Sequence, residues 1–344
     1  MPSGPRVTVA GLGAINPDGA GLMTAGAGGF PSELWFRSPR TAVAARLAQL
    51  PSAPSSPVMQ TLTRRLLLTA APPPGGVAEP DEASFLSMRL KKILANGWLD
   101  EASMLAGQST RDDSTARQVS AEALLLQGRE GDACSDATAL RQSENDPYWL
   151  KLRTYCYVVE GNMPAATLTL DVMRERGIED EVFFTLAGTL TGTDAATKID
   201  ALPAPSGLNL ALLRRAEIAP PASLAAWVPA TALLSQQSAS AEMRLAAAER
   251  AAVAGLLPAD QLRTIYESET FSPDEIDDPD EAAKKLSTSR ANALFYQAIA
   301  KRTLPAAKAA AFAAALQRAD AQNKFALFAQ VSAGAAKRLQ PLPE

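Results

Sequence analysis

The chain has 344 residues, of which 47% are apolar and 20% are charged. That apolar fraction suffices for a hydrophobic core and excludes disorder of the whole chain. A net charge of −4, from 33 basic and 37 acidic residues, excludes the strongly basic surface that nucleic-acid binding needs. No apolar run approaches the roughly 18 residues of a membrane-spanning helix, so we expect no insertion into a membrane.

The balance of residue types favours helices over sheets. Alanine dominates, aromatic residues make up only 6%, and valine and isoleucine are sparse. Alanine is the best helix former, whereas β-branched and aromatic side chains are those that pack well on a pleated sheet. We therefore predict an all-α protein.

Residues 1–37 are predicted to form an extended or flexible N-terminal segment. The opening "MPSGPRVTVAGLGAINPDGAG" has one early arginine and an apolar stretch broken by glycines, so it is a poor secretory signal. Gly11 and Gly13 begin a dinucleotide-binding pattern, but Asn16 stands where its third glycine belongs, and we expect no cofactor. The segment is a candidate docking strand, which stays extended until it meets a partner or lies along the rest of the chain.

The next elements are predicted to be a helix hairpin over residues 38–71. The dipeptides Ser38–Pro39 and Ser56–Pro57 each combine a preferred N-cap residue with proline at the first helical position. Apolar residues follow each dipeptide at helical spacing. The run "PPPGGVAEP" comes next, so residues 72–83 are predicted to be a stiff linker rich in proline and glycine.

A short pattern then recurs along the chain, in which an alanine follows a glycine after five places. Successive glycines lie 31 and 33 residues apart, close to the period of about 34 residues of a helix-turn-helix repeat. Glycine ends a helix well because it adopts the left-handed conformation, and alanine allows two helices to approach closely. The residues of this repeat signature are Gly97 with Ala102, Gly128 with Ala133, and Gly161 with Ala166.

This pattern resembles the tetratricopeptide repeat, whose first helix also ends in glycine and whose second helix carries a small residue five places on. The resemblance covers residues 84 to about 176, but the usual Trp-x-x-Leu-Gly opening of the first helix is absent and the repeat lengths vary. It implies a right-handed α-solenoid of antiparallel helix hairpins. We assign residues 84–200 to such repeats and residues 201–344 to less regular helical repeats.

Cys134 and Cys156 are the only cysteines. Between them "SENDP", residues 143–147, predicts a turn, with Pro147 opening the next helix. Each cysteine lies 11 residues from residue 145, which places the pair at the same height on facing helices. This pattern is consistent with a disulfide, and also with two reduced, buried thiols. Two thiols without histidine do not indicate a metal site.

The acidic run "SPDEIDDPDEAAKK" in the C-terminal half lacks the order of ligands of a calcium-binding loop. We interpret it as a solvated loop, with Asp278 or Asp280 near the N-terminus of the following helix, where the helix dipole favours negative charge. No polar closing element precedes the final "LQPLPE", so the chain is interpreted as a shortened version of something longer.

The absence of histidine bears on catalysis. Imidazole is the commonest general base, and most serine, cysteine and zinc mechanisms depend on it. The helical pattern places Glu160, Glu242 and Glu249 on polar helix faces, where nothing marks a dry catalytic pocket. We therefore predict a protein that is not an enzyme and that binds neither metal nor cofactor.

Three longer stretches resemble a family of uncharacterised, exported helical proteins of alphaproteobacteria. They run from "GGFPSELWFRSPRTAV" to "LLLTAAPPP", through "NDPYWLKLRTYCYVVEGN", and over "MRLAAAERAAVAGLLP". The resemblance covers most of the chain and brings no known activity. It implies a location in the cell envelope and a cysteine pair that matches Cys134 and Cys156.

The leading functional hypothesis is a non-catalytic scaffold or adaptor of the bacterial periplasm, whose stacked hairpins offer a concave surface to a protein partner. One alternative is the accessory superhelical domain of a cell-wall lytic enzyme, and another is a cytoplasmic assembly scaffold. Aromatic side chains are enriched in interface cores, although each candidate is also a common core residue. The candidates for partner contact, expected to be exposed, are Trp35, Phe36, Trp98 and Tyr157.

Overall fold

The protein is all-α, as the composition predicts. Within the part of the chain that the structure describes, there are eighteen α-helices and no β-strand. The structure is a computed structural model, which describes residues 16–52, 56–76, 83–110, 113–139, 146–195, 197–203, 205–226 and 229–336.

The helices are numbered in chain order. The first nine are α1 (Arg40–Gln49), α2 (Pro57–Leu68), α3 (Phe85–Ala95), α4 (Leu99–Ala106), α5 (Ser114–Leu126), α6 (Glu130–Ala139), α7 (Pro147–Val159), α8 (Met163–Glu175) and α9 (Glu181–Thr191). The others are α10 (Gly207–Arg215), α11 (Ala230–Leu234), α12 (Ala241–Val253), α13 (Ala259–Ser268), α14 (Pro273–Asp277), α15 (Pro279–Ala283), α16 (Thr288–Lys301), α17 (Pro305–Ala321) and α18 (Phe325–Ala336). Short 3-10 turns occupy Pro17–Gly19, Ala25–Ala27 and Ala222–Ala226.

The N-terminal segment, of which residues 1–15 lie outside the described residues, packs along the first helices. The amide nitrogens of Leu22 and Met23 donate to the carbonyl of Leu68, and the amide of Ala70 donates back to Met23. Residues 23 and 69 thereby form an isolated parallel bridge. Of the two conformations considered for this segment, its described part adopts the one that lies along the rest of the chain.

The start of α1 differs from the prediction. The helix begins at Arg40 with Pro39 as its N-cap, and no side chain caps it. The reason is a bridge to the linker, because the Gly75 amide donates to the Ser38 carbonyl and the Arg40 amide donates to the Gly75 carbonyl. These bonds hold residues 38 and 39 in an extended conformation, which takes Ser38 out of the capping position. The corresponding prediction for α2 is confirmed, since the Ser56 hydroxyl accepts from the Met59 amide and Pro57 opens the helix.

The three glycines of the repeat signature end α3, α5 and α7 in the left-handed conformation, with φ values of +77°, +76° and +75°. At each corner the glycine amide donates three residues back, and the following amide donates five residues back. Each of these corners is a Schellman motif, which uses the free carbonyls at the helix end. Five places on, the three alanines are fully buried early in α4, α6 and α8.

The chain folds back on itself after α9. Helices α3 to α9 pack mainly on their neighbours in sequence, but α10 packs on α5. Helix α5 also contacts α3, α4 and α6, and every residue from 119 to 126 is buried. The face of α5 that an open stack of hairpins leaves exposed is therefore covered by the chain itself. The right-handed solenoid stays a prediction.

Helices α4 and α5 share a hydrophobic cluster with α10 to α12. The cluster contains Leu99 of α4 and Leu126 of α5, together with Leu210, Leu233 and Ala247. A second cluster contains both Ile199 and Leu208, so the predicted boundary at residue 200 runs through a continuous core. The C-terminal helices α12 to α18 have a further core of their own.

Candidate functional site

The structure contains a cleft of about 1080 Å³, which we call the docking cleft. Residues of α2 and of the start of α18 line it. The start of α4 and the end of α12 complete its wall. Gly97 and Trp98 line it, so the first corner of the repeat signature lies at the cleft.

Large apolar side chains lie exposed beside the docking cleft. Val58 is 67% exposed on α2, and Met59 and Leu62 on the same helix are also exposed. Phe325, 49% exposed, lies between Lys324 and Ala326, which line the cleft. These four apolar side chains are not themselves part of the cleft wall, which is formed by their neighbours in the chain.

Polar groups cross the docking cleft. The Arg64 guanidinium of α2 donates from Nε to Glu101 Oε1 of α4 over 3.0 Å. Gln127 donates from Nε2 to Asp100 Oδ1, also over 3.0 Å. Since both cations and carboxylates are present, the cleft has no strong bias towards a ligand of one charge.

The cleft retains unused hydrogen-bonding capacity. Among the described residues, neither Gln127 Oε1 nor Thr231 Oγ1 has a hydrogen-bond partner, and both side chains line the cleft. The N-terminus of α4 also has no side-chain cap, because its N-cap is Trp98. Free helical amides and unpaired side-chain oxygens are groups that a bound polypeptide backbone can satisfy.

Two of the four aromatic residues predicted to contact a partner are not exposed. Trp35 is buried with its ring edge-on to Phe85, at 5.4 Å between centroids. Trp98 is 6% exposed, because it packs in the core of the first helices. Phe36 is 70% exposed and Tyr157 is half-buried. The expectation of exposure is thus wrong for the two tryptophans, whose large apolar area is stabilising when buried.

Cys134 of α6 and Cys156 of α7 form a disulfide, with their Cα atoms 5.5 Å apart. Both side chains are buried in the hydrophobic core formed by α5 to α10. The matched height of the two cysteines on facing helices accounts for this pairing. Part of the predicted turn, residues 143–145, lies outside the described residues, but Pro147 does open α7, after Asp146 as N-cap.

We expect the double substitution Cys134→Ser with Cys156→Ser to lower the free energy of unfolding by about 3 kcal/mol, because a closed loop of 22 residues restricts the unfolded chain. Urea unfolding of oxidised protein measures this difference. Reductant should produce a similar loss in the unsubstituted protein and no further loss in the double variant. A stability that reductant does not change would contradict the prediction.

The prediction that Glu249 lies on a polar, exposed helix face is wrong. Its side chain is 0% exposed, whereas Glu160 and Glu242 are exposed as predicted. The Glu249 carboxylate accepts from Tyr266, Ser289, Asn292 and Lys324. These donors come from α13, α16 and the corner before α18, so the carboxylate joins four elements. Sequence periodicity gives no signal for this site, because all four donors are distant along the chain.

Glu122 of α5 is a second buried carboxyl. Its Oε2 accepts from the Gly207 amide at the N-terminus of α10. The approach is close, since a Cβ on Gly207 would lie 2.7 Å from the Glu122 carbonyl oxygen. Burial raises the pKa of the Glu122 carboxyl above its ordinary value, and hydrogen bonds from α10 amides oppose the shift.

This shift predicts a pH-dependent stability. Above about pH 4.5 the carboxyl ionises in the unfolded state before it does so in the folded state, so its contribution to stability falls as the pH rises. Glu122→Gln removes this dependence and keeps an acceptor for Gly207. We expect the variant to gain stability relative to the unsubstituted protein as the pH rises above about 4.5, in a urea unfolding series. Exposed Glu160→Gln is the control, and parallel pH curves for the Glu122 variant and the unsubstituted protein would contradict the prediction.

The acidic run of the C-terminal half is not the solvated loop that the sequence indicates, because it forms the short helices α14 and α15 with Ile276 and Ala283 buried. The predicted position of Asp278 and Asp280 at a helix N-terminus is confirmed. Asp278 is the N-cap of α15, where its side chain accepts from the Glu281 amide, and Asp280 lies in the first turn. Among the described residues, no three histidine, cysteine or acidic side chains are placed to hold a metal ion. The described helices include none with the length and apolarity to cross a membrane.

Comparison with known proteins gives no match. No family model, no curated protein and no solved structure is similar to this chain. The resemblances to tetratricopeptide repeats and to an alphaproteobacterial family therefore stay predictions.

Proposed function

We propose that the protein is a non-catalytic scaffold or adaptor, which holds a segment of a protein partner in the docking cleft. The observation that carries this proposal is the docking cleft itself, whose wall brings charged and polar side chains of α2, α4 and the start of α18 to one cavity of about 1080 Å³. A polypeptide segment suits such a cleft, since its backbone and polar side chains can bond Arg64, Glu101 and Gln127, which line it.

The docking cleft is a different binding surface from the concave face that the repeat pattern indicates. A hairpin stack usually binds partners along its concave face, but α10 covers α5 on the side left free by the neighbouring hairpins. The docking cleft lies instead where α2 and the start of α4 meet the C-terminal helices. Partner recognition thus depends on both halves of the chain.

A location in the cell envelope is part of this proposal. Disulfides persist in oxidising compartments and are rare in the reducing cytoplasm, and the Cys134–Cys156 bond lies in the hydrophobic core formed by α5 to α10. Thiol counting in protein freshly isolated from the native host tests this point. Two free thiols under denaturing conditions would contradict an envelope location and favour a cytoplasmic scaffold.

Site-specific photocrosslinking tests the docking cleft. A photoreactive phenylalanine analogue at Thr61, an exposed residue that lines the cleft, should crosslink to a discrete partner in the native host, and Ala326→Trp should reduce that crosslink by filling part of the cleft. The same analogue at Leu168, which is 66% exposed on α8 and does not line the cleft, is the control. If both positions capture the same proteins, or if Thr61 captures none, the proposed docking site is wrong.

A further inference from the structure

A second cavity lies between α3, α5 and the segment that contains α11 and α12. Its volume is about 700 Å³, within the range of roughly 300–1,000 Å³ of small-molecule sites. Gly97, Ala254 and Leu256 line both this cavity and the docking cleft, so they form the wall between the two.

The cavity has an apolar interior and a polar mouth. Leu126 and Ala230 on its wall are buried, which marks the deep end. Lys91, Ala95 and Ser52 on its wall are exposed, which marks the mouth. A ligand that follows this arrangement has an apolar body and a polar head.

The charges on the wall favour a negative head. Lys91 at the mouth and the half-buried Arg250 are cationic. Among the described residues that line the cavity, Glu122 carries the only carboxyl group, and it is buried and already accepts from the Gly207 amide.

We propose that this cavity binds a small amphipathic carboxylate of the fatty-acid class, with its chain against Leu126 and Leu256 and its carboxylate beside Lys91. The inference is independent of the docking function, because it concerns a different cavity and a different class of ligand. It assigns a role to Lys91, an exposed cation at the mouth of the cavity.

Calorimetric titration of the full-length protein with decanoate tests the proposal. We expect saturable binding of one decanoate per chain at low ionic strength, and much weaker binding of decyltrimethylammonium, which has the same chain and the opposite charge. Absence of saturable decanoate binding up to about 1 mM would overturn the proposal. Equal affinity for the two amphiphiles would also overturn it, because the charge would then play no part.

Two exposed positions at the mouth locate the ligand without disturbing the core. Lys91→Glu should weaken decanoate binding at least about tenfold, since it reverses the charge at the head group. Ala95→Trp should abolish binding by filling the mouth. Lys285→Glu, at an exposed position outside the cavity, is the charge-matched control and should leave the affinity unchanged. Decanoate binding that both mouth variants retain, with unfolding midpoints equal to that of the parent protein, would place the ligand elsewhere and overturn the proposal.

Discussion

Arg89→Met should lower the free energy of unfolding by about 3–5 kcal/mol, because it removes every donor from a fully buried polar site. The Arg89 side chain is 0% exposed and donates to the carbonyls of Leu67, Thr69 and Ala20 over 2.6 to 3.1 Å. Burial lowers the pKa of its guanidinium to about 10, so the group remains a cation at neutral pH. Methionine fills similar space but leaves these buried carbonyls without a partner.

Arg46→Met on exposed α1 is the matched control, and we expect a change within about 0.5 kcal/mol. Hydrogen exchange adds a local measurement. Since Arg89 joins the N-terminal segment to the end of α2, the amides of Leu22 and Met23 should lose protection in Arg89→Met. Unchanged protection with a stability loss below about 1 kcal/mol would show that the segment is held by other contacts.

Glu249→Leu is expected to have the second large effect, a loss of about 3–5 kcal/mol. The substitution removes the one acceptor shared by four donors and leaves the Lys324 ammonium beside an apolar side chain. Lys324 is only partly exposed, at 23%, so its charge is incompletely solvated. Urea unfolding of the variant and of exposed Glu242→Leu on the same helix measures the difference.

A double-mutant cycle separates the ion pair from the neutral hydrogen bonds. Lys324→Met alone should destabilise the protein, because a buried carboxylate remains with three neutral donors. In the double variant Glu249→Leu with Lys324→Met, we expect a loss smaller than the sum of the single losses by about 1–3 kcal/mol. Additive losses would show that the two charges do not interact in the folded protein.

The helix class, the corners and the cysteine pairing follow from short-range features. Helix ends depend on a few consecutive residues, so Gly97, Gly128 and Gly161 mark three corners before any tertiary contact is considered. Ser56 and Asp278 cap their helices for the same reason. The sequence also indicates that the two cysteines lie close together, because two helices joined by one turn bring residues equidistant from that turn to the same height.

Long-range packing decides the rest. Arg89 meets carbonyls 20 to 69 residues away, and Lys324 meets Glu249 across 75 residues. Hydrophobic periodicity reports which face of a helix is apolar, but it does not report which distant polar groups that face will meet. The sequence pattern therefore places Glu249 in solvent and Trp35 and Trp98 at a surface, although all three are buried.

The amino-acid sequence therefore specifies the all-α class, the glycine corners and the matched height of the two cysteines, since each depends on spacing along a few turns of helix. The return of α10 onto α5, the docking cleft and the second cavity are decided only when distant helices pack, because each is formed by elements far apart in the chain. Local propensity selects the helices, and the burial of apolar surface between them determines which of their faces remain for a partner.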